Sequence, residues 1–276
     1  MPGLKVAALI SGEPGPHELW TLRRMASADC ELSVVQATGS AALPPLQRAR
    51  SLIKRHGALG TVSRFVGGAV GSRMAAEDGA LLEELFDFDE LRVWWGASGL
   101  VPAKVRALNH AEAQATLAAL SPDLIVRVTG GILKPQIVSL ARIAALNIHH
   151  GQAPLIRGMW SIPWGIVEGR RDWIGATIHV IDDGIDTGPI LWRGGPQLAP
   201  GDTHVDLFFR AHLEAADALA RILKSYARGD APQAWTPGAG QDSTYRSSAG
   251  LGAWIKLLYL DRGRRARVLL ERGVEC

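Results

Sequence analysis

The sequence predicts an α/β protein built on a doubly wound, mostly parallel β-sheet. Two apolar runs near the N-terminus, Lys5–Ser11 and Glu31–Gln36, are typical of buried strands, and His17–Ala28 between them is typical of a helix. A strand, a helix and a second strand joined by short links form the first unit of such a sheet. The apolar run Leu124–Val128, broken only by Arg127, predicts a further central strand.

The rest of the chain continues this alternation. Pro135 suits the start of a helix, Asn109 can cap one, and Gly229 is well placed to end one. Apolar positions spaced for one buried side predict a long amphipathic helix near the C-terminus. The expected elements are a short strand at Leu91–Trp95, helices at Asn109–Leu120, Lys134–Ala145, Pro163–Gly169 and Asp202–Arg228, and strands at Leu146–His149, Ala176–Ile181 and Ile190–Pro196.

Two parts are expected within this chain. Residues 1–200 would form the main core, with a helical insertion at about 44–90 between the second strand and the next core elements. Residues 201–276 would form a C-terminal helix and a short appendage packed on that core, because this segment is too short for a core of its own.

Composition narrows the functional class. The chain has 276 residues, 47% of them hydrophobic, and a net charge of +3. It has no apolar run of the roughly 18 residues that span a membrane, and no signal-peptide pattern, so we expect a cytoplasmic protein. Cys30 and Cys276 have no metal-ligand spacing and are not expected to pair. The basic clusters lack interleaved aromatic residues, so a nucleic-acid partner is not expected.

Three polar side chains at the ends of predicted strands point to chemistry. Asn147 and His149 end one strand, and Asp186 follows the strand Ala176–Ile181. An amide can donate to a developing oxyanion, an imidazole can carry a proton, and a carboxylate can orient the imidazole. The set suits attack of a nucleophile on a carbonyl group. The alternative is that these are ordinary turn residues with satisfied hydrogen bonds.

The context of these residues favours the catalytic interpretation. Segment 124–191 resembles the formyltetrahydrofolate-dependent formyltransferases, the family of methionyl-tRNA, glycinamide ribonucleotide and amino-sugar N-formyltransferases and of formyltetrahydrofolate hydrolases. The resemblance is carried by an ordered string of motifs: Leu124–Val128, Gly130-Gly131-Ile132-Leu133, Pro135, Asn147-x-His149, Pro154, Arg157-Gly158 and Gly184-x-Asp186-x-Gly188.

The resemblance implies a Rossmann-like formyltransferase core and a role for each residue of the motif. Asn147 would donate to the oxyanion, His149 would take the proton of the attacking amine, and Asp186 would orient His149. The formyl donor would be 10-formyltetrahydrofolate, and no metal is needed. Its pterin ring would lie between two walls formed by Gly131, Ile132 and Leu133 and by Val180, Ile181, Asp182, Asp183 and Gly184.

Departures from the family pattern fall on the side of the predicted site where the amine that receives the formyl group would bind. Where many relatives have a serine and two leucines after the histidine, this chain has Gly151-Gln152-Ala153. His150 is expected to point away from His149 and to have a structural or substrate-side role. Four tryptophans near the predicted site are either core residues or the lining of a bulky acceptor pocket: Trp160, Trp164, Trp173 and Trp192.

The leading hypothesis is transfer of a formyl group to a primary amine of a small metabolite, such as an amino sugar, an amino acid derivative or a secondary metabolite. The partners are then the folate cosubstrate and that amine, with no membrane partner; self-association into a homo-oligomer stays open. The alternatives are a formyltetrahydrofolate hydrolase, a methionyl-tRNA formyltransferase and a non-catalytic folate-binding module. About 75 residues follow Gly201 and do not predict the β-barrel of methionyl-tRNA enzymes, so that alternative is expected less.

Overall fold

The structure, a computed structural model, describes residues 3–39, 50, 53–54, 60–63, 66, 86–199, 201–238, 241–247 and 249–271. Seven strands form one mixed sheet: β1 (Leu4–Ser11), β2 (Cys30–Ala37), β3 (Ala103–Val105), β4 (Leu124–Arg127), β5 (Ala144–His149), β7 (Ala176–Val180) and β8 (Ile190–Gly194). Two short strands, β6 (Ile156–Gly158) and β9 (Thr244–Arg246), pair with each other.

Among the described residues, the α-helices with defined bounds are α1 (Pro16–Ala26), α2 (Phe88–Ala97), α3 (Ala111–Leu120), α4 (Pro135–Val138), α5 (Ser161–Glu168), α6 (His204–Ala227) and α7 (Leu251–Glu271). In the part of the chain that the structure describes, none of the helices is both long enough and apolar enough to cross a membrane. The insertion expected at about 44–90 lies largely outside the described residues.

The sheet has the order β3-β2-β1-β4-β5-β7-β8. The first five strands are parallel, and β7 and β8 are antiparallel additions at one edge. The predicted α/β, mostly parallel, doubly wound fold is therefore confirmed. Buried side chains on both faces of the central strands explain the near-continuous apolar runs in the sequence, because helices cover each face of such a sheet.

Strand β1 shows how the two faces are filled. Val6 and Ile10 join the larger core with residues of α1, α6 and α7, whereas Ala7 and Leu9 join a second core with residues of α3 and α4. Alternate side chains of a strand point to opposite faces, so one apolar run supplies both cores. The central strands whose ends carry the site are therefore held in place by helices on both faces of the sheet.

Two sequence-based element predictions are wrong. Leu91–Trp95 is helical, inside α2, because Asp87 accepts a hydrogen bond from the backbone N–H of Glu90 at 2.8 Å and caps the helix. A short apolar run does not by itself distinguish a strand from a helix. The helix expected at Lys134–Ala145 ends at Val138, and β5 begins at Ala144.

Asn109 does not cap α3, which begins at Ala111 with His110 in the capping position. The Asn109 side chain instead donates to the carbonyl oxygen of Ile132 at 2.8 Å and accepts from the backbone N–H of Lys134 at 2.7 Å. This side chain therefore fixes the loop between β4 and α4, which forms one wall of the site described next.

Candidate active site

A cavity of about 500 Å³ opens where β4 and β5 end. Charged and polar side chains line part of it, and apolar or aromatic groups form most of its lining. Its lining residues are Arg127, Gly130, Gly131, Ile132, Asn147, Ile148, His149, His150, Gly158, Met159, Trp160, Ser161, Ile162, Pro163, Ile185, Asp186, Phe208 and Tyr245. All three residues expected to be catalytic are among them.

Asp186 connects the polar side chains of the cavity. Its Oδ2 atom accepts from the backbone N–H of Gly158 at 2.9 Å and lies 3.3 Å from Nδ1 of His149. Its Oδ1 atom lies 3.4 Å from Nδ2 of Asn147 and 3.4 Å from Nε2 of His179. The structure therefore brings Asn147, His149 and Asp186 together across 39 positions of sequence.

The environment of Asp186 keeps the carboxyl group ionised. Burial alone raises its pKa, but the neighbouring His179 and His149 and the N–H of Gly158 together bring the pKa well below its usual value. Asp186 has a φ of 52°, in the left-handed region that Asp tolerates better than most residues. A charged oxygen is thus held at a fixed position beside the imidazole.

His149 is almost fully buried, with 5% of its side chain exposed. Its Nε2 atom lies 3.1 Å from the carbonyl oxygen of Ile156 and 3.4 Å from Oγ of Ser161, while Nδ1 faces Asp186. Burial lowers the pKa of His149, and the charge of Asp186 and the carbonyl of Ile156 oppose that shift. The ring is neutral near pH 7, yet both of its nitrogens face acceptors that would stabilise the protonated form.

Arg127 fixes the orientation of the Asn147 amide. Its guanidinium Nη1 donates to Oδ1 of Asn147 at 2.7 Å. Because a guanidinium only donates, the carbonyl oxygen of Asn147 must face Arg127, and the amide nitrogen then faces His179 and Asp186. Sequence reasoning did not assign Arg127 a role; the signal was one charged residue in an otherwise apolar strand.

His179 is a second residue that sequence reasoning missed. It lies on β7 directly opposite Asn147, is buried, and places Nε2 3.0 Å from Nδ2 of Asn147. Its Nδ1 lies 2.9 Å from the carbonyl oxygen of Val180. Because a carbonyl oxygen only accepts hydrogen bonds, the ring proton of His179 is on Nδ1. The signal in the sequence was a histidine on an otherwise apolar buried strand.

Asp186 reaches the site by a route that the sequence did not predict. The sequence indicated only that Asp186 follows the strand Ala176–Ile181. Because β7 runs antiparallel to β5, the loop after β7 must turn back along β5 to bring Asp186 to the site. Arg157 holds this loop by donating to the carbonyl oxygen of Ile185 at 3.1 Å, and it also donates to Oγ of Ser243 at 2.7 Å. The segment carrying β9 therefore helps to fix the carboxylate.

Only two of the residues expected to bind folate line the cavity. Gly131 and the exposed Ile132 line it. Leu133 is buried in the second core, against which Ile181 also packs, and Val180 packs on the larger core. Asp182 accepts from the Gly184 N–H and the Thr187 hydroxyl. Val180, Ile181, Asp182 and the exposed Asp183 therefore shape the loop that carries Asp186 and are not among the residues that line the cavity.

Of the four tryptophans, only Trp160 lines the cavity. Trp173 is buried, with 2% exposed, while Trp164 and Trp192 pack against the larger core. Trp160 is 40% exposed and has a φ of 62°, a strained value for a bulky side chain. It lies edge-on against Trp254 of α7, with ring centres 4.9 Å apart.

Comparison with known proteins identifies the class. A family model described as formyl transferase matches residues 75–223, which is more than half of the chain. The chain therefore belongs to the formyl transferase family. It is 34% identical over 134 residues to a methionyl-tRNA formyltransferase of Anaeromyxobacter dehalogenans, covering 48% of this chain and 43% of the relative. It is 36% identical over 135 residues to one from Desulfotalea psychrophila, covering 49% and 41%.

The matched region spans less than half the length of these relatives. Among solved structures, a 4-N formyltransferase from Francisella tularensis matches with a TM-score of 0.53 and 14% identity, covering 88% of this chain and 76% of that one. A glycinamide ribonucleotide transformylase from Symbiobacterium toebii matches with a TM-score of 0.52 and 17% identity, covering 82% and 89%. These structures share the fold.

Proposed function

We propose that this protein transfers the formyl group of 10-formyltetrahydrofolate to a primary amine of a small metabolite, such as an amino sugar or an amino acid derivative. One observation supports this most strongly: Asn147, His149 and Asp186 surround one corner of a cavity large enough for a small substrate. A binding module needs no buried imidazole between a carboxylate and a carbonyl oxygen. Membership of the formyl transferase family makes the reaction class the natural one.

In the proposed reaction the amine nitrogen forms a bond to the formyl carbon, and the bond from that carbon to the donor nitrogen breaks. Between these events the carbonyl oxygen carries negative charge. Asn147 would donate to this oxygen through its amide nitrogen, and the hydrogen bond from Arg127 to its Oδ1 would fix the orientation of the amide. A donor of this kind contributes on the order of 3 kcal/mol to the transition state.

His149 would take the proton that the attacking amine loses and return it to the departing nitrogen of the donor. Both ring nitrogens face acceptors, so the neutral ring leaves one of them unsatisfied; with the proton on Nδ1 and donated to Asp186, the Nε2 lone pair can accept a proton. Once Nε2 is protonated, its N–H faces the carbonyl oxygen of Ile156 at 3.1 Å. The charged imidazole is therefore satisfied at both nitrogens, which offsets part of the cost of charging a buried group.

The folate side of the cavity is proposed to be the wall formed by Gly131 and Ile132. An added Cβ at Gly131 would meet nothing within 4 Å, so the backbone there is open to a flat ring. Asn109 holds this loop through hydrogen bonds on both sides of it. Apolar walls with backbone groups at their edges suit a planar, polar-edged ring.

Two other reactions must be distinguished by experiment. The curated relatives named above are methionyl-tRNA formyltransferases, so methionyl-tRNA is the second acceptor to test. Hydrolysis, with water in place of the amine, would release formate. Purified protein is mixed with 10-formyltetrahydrofolate and with glucosamine, lysine, benzylamine or methionyl-tRNA, and tetrahydrofolate and formylated product are measured.

Amine-dependent release of tetrahydrofolate with an equal amount of formylated small amine supports the proposal. Release without any amine supports hydrolysis, and formylation of methionyl-tRNA alone supports the second acceptor. Binding of the folate with no turnover under any of these conditions would contradict catalysis.

A further inference from the structure

A second group of histidines borders the same cavity and takes no part in the proposed proton transfer. His150 places its Nε2 atom 2.9 Å from Nδ1 of His212 on α6, and the two rings stack with centres 5.1 Å apart. Nε2 of His212 lies 2.7 Å from Oγ1 of Thr21 and 3.0 Å from the carbonyl oxygen of His17. His212 is completely buried.

These contacts select one proton arrangement. The carbonyl oxygen of His17 only accepts, so Nε2 of His212 is best satisfied when it carries the proton. Its Nδ1 then has a lone pair, which accepts a hydrogen bond from the Nε2–H of His150. Consequently the remaining nitrogen of His150, Nδ1, carries a lone pair. The hydroxyl of Thr21 fits the same arrangement, because it donates to the carbonyl oxygen of His17 at 2.9 Å and can accept from His212.

Nδ1 of His150 is the free end of this chain. The His150 ring lines the cavity, and its Nδ1 has no hydrogen-bond partner among the described residues and is not fully buried. Phe208 packs against the ring with centres 4.2 Å apart and lines the cavity beside it. An acceptor atom with a fixed direction therefore faces the cavity next to an apolar surface.

The charge state of the pair supports this arrangement. Burial, followed by the nearby His17, lowers the pKa of His212 to about 3. Burial also lowers the pKa of His150 well below its usual value, as do the groups that face it: His212, His17, His149 and Arg127. A ring that resists protonation this strongly is a poor general base near pH 7. A neutral imidazole can still accept a hydrogen bond through its lone pair.

We infer that His150, held in one tautomer by His212, binds the acceptor substrate by accepting a hydrogen bond at Nδ1 from an N–H or O–H group. This inference rests on the proposed function and extends it to the acceptor. The substrate carries a hydrogen-bond donor beside an apolar face that packs on Phe208. His150 contacts the substrate, and His212 is a positioning residue that acts through His150.

The first test needs no substrate. Nitrogen-15 NMR of the histidine rings in the whole protein reports which nitrogen carries the proton. We expect both rings to be neutral at pH 6, each with its proton on Nε2. A charged His150 at pH 6, or a proton on its Nδ1, would overturn the inference whether or not the protein transfers formyl groups.

The second test uses variants, with glucosamine, lysine or benzylamine, whichever is formylated fastest by the wild type. His150→Phe keeps the stacked ring but removes the acceptor atom, so the KM for the amine should rise about 10-fold while the KM for the folate is unchanged. His212→Leu should raise the amine KM similarly. His212→Gln can accept from His150 and donate to the carbonyl of His17, and it should restore most of the affinity.

His110→Gln, at the exposed start of α3, is the control and should leave both KM values unchanged. Thermal unfolding identifies any variant that fails to fold. If His212→Leu does not fold, the amine KM of His212→Gln is used in its place to test the role of His212. Amine KM values within twofold of wild type in folded His150→Phe would overturn the inference. If the wild type formylates none of the three amines, the proposed small-molecule function fails instead, and the NMR result still decides the tautomer.

Discussion

Replacing Asp186 by Asn tests the proposed proton carrier most selectively. Asn tolerates the left-handed backbone at this position, and its carbonyl oxygen can still accept from the N–H of Gly158. The change therefore removes the negative charge 3.3 Å from Nδ1 of His149 while preserving the local structure. Two opposite charges at this separation interact by about 5 kcal/mol at an effective dielectric constant of about 20.

An amide dipole and local relaxation recover part of this energy, so we expect a loss of roughly 3 to 4 kcal/mol in stabilisation of protonated His149. That corresponds to a fall in kcat of about 100- to 1000-fold. The assay is amine-dependent release of tetrahydrofolate, measured with kcat and KM separately. The KM for the folate should change less than threefold, because Asp186 stabilises charge that develops after binding.

The pH profile of the same variant gives an independent reading. The charge of Asp186 raises the pKa of His149 against the effect of burial, so its removal must lower that pKa further. The acid limb of kcat/KM should therefore move to lower pH as kcat falls. A kcat within threefold of wild type, or an acid limb that moves to higher pH, would refute the reasoning.

Three further predictions concern stability, positioning and pH. An added Cβ at Gly158 would clash with the backbone carbonyl oxygen of Arg246, so Gly158→Ala should lower Tm by several degrees more than Gly169→Ala, where only the backbone strain applies; equal shifts would contradict this. Arg127→Met should lower kcat about 10-fold with little change in folate KM, because the Asn147 amide is no longer held in one orientation; an unchanged kcat argues against that role. The pKa of His212 is about 3 when folded and 6.5 when unfolded, so between these values only the unfolded chain binds the proton and stability rises with pH. The free energy of unfolding, measured with denaturant at several pH values between these limits, should rise with pH less steeply in His212→Gln than in wild type, by about 1.4 kcal/mol per pH unit. Identical slopes in the two proteins would exclude a neutral buried ring.

Elements with strong periodicity were predictable from the sequence. The strands β1 and β4 are buried on both faces along most of their length, as is the second half of β2, so their apolar runs were unambiguous. The long helix α6 had one clear apolar side. The run Leu91–Trp95 was ambiguous because it is short and only Leu91 is fully buried. Asp87, followed three residues later by Glu90, is a capping pattern that favours a helix at this position over a strand.

The polar residues of the site were predictable for a different reason. Asn147, His149 and Asp186 occur in an order and spacing that resembles a known family, and the structure places them within hydrogen-bonding or near hydrogen-bonding distance. Arg127 and His179 were not predicted, because their roles depend on cross-strand neighbours: each lies directly opposite Asn147 in the sheet. Pairing between strands distant in sequence cannot be read from local patterns.

The central claim is that Asn147, His149 and Asp186 act together on one formyl group. It is tested most directly by single-turnover NMR with carbon-13 in the formyl group of 10-formyltetrahydrofolate, an amine in excess, and either wild type or His149→Ala. The wild-type signal should move from the folate to a formylated amine, and the variant should do so at least about 100-fold more slowly while binding the folate equally well. Transfer at the wild-type rate in His149→Ala would contradict the account.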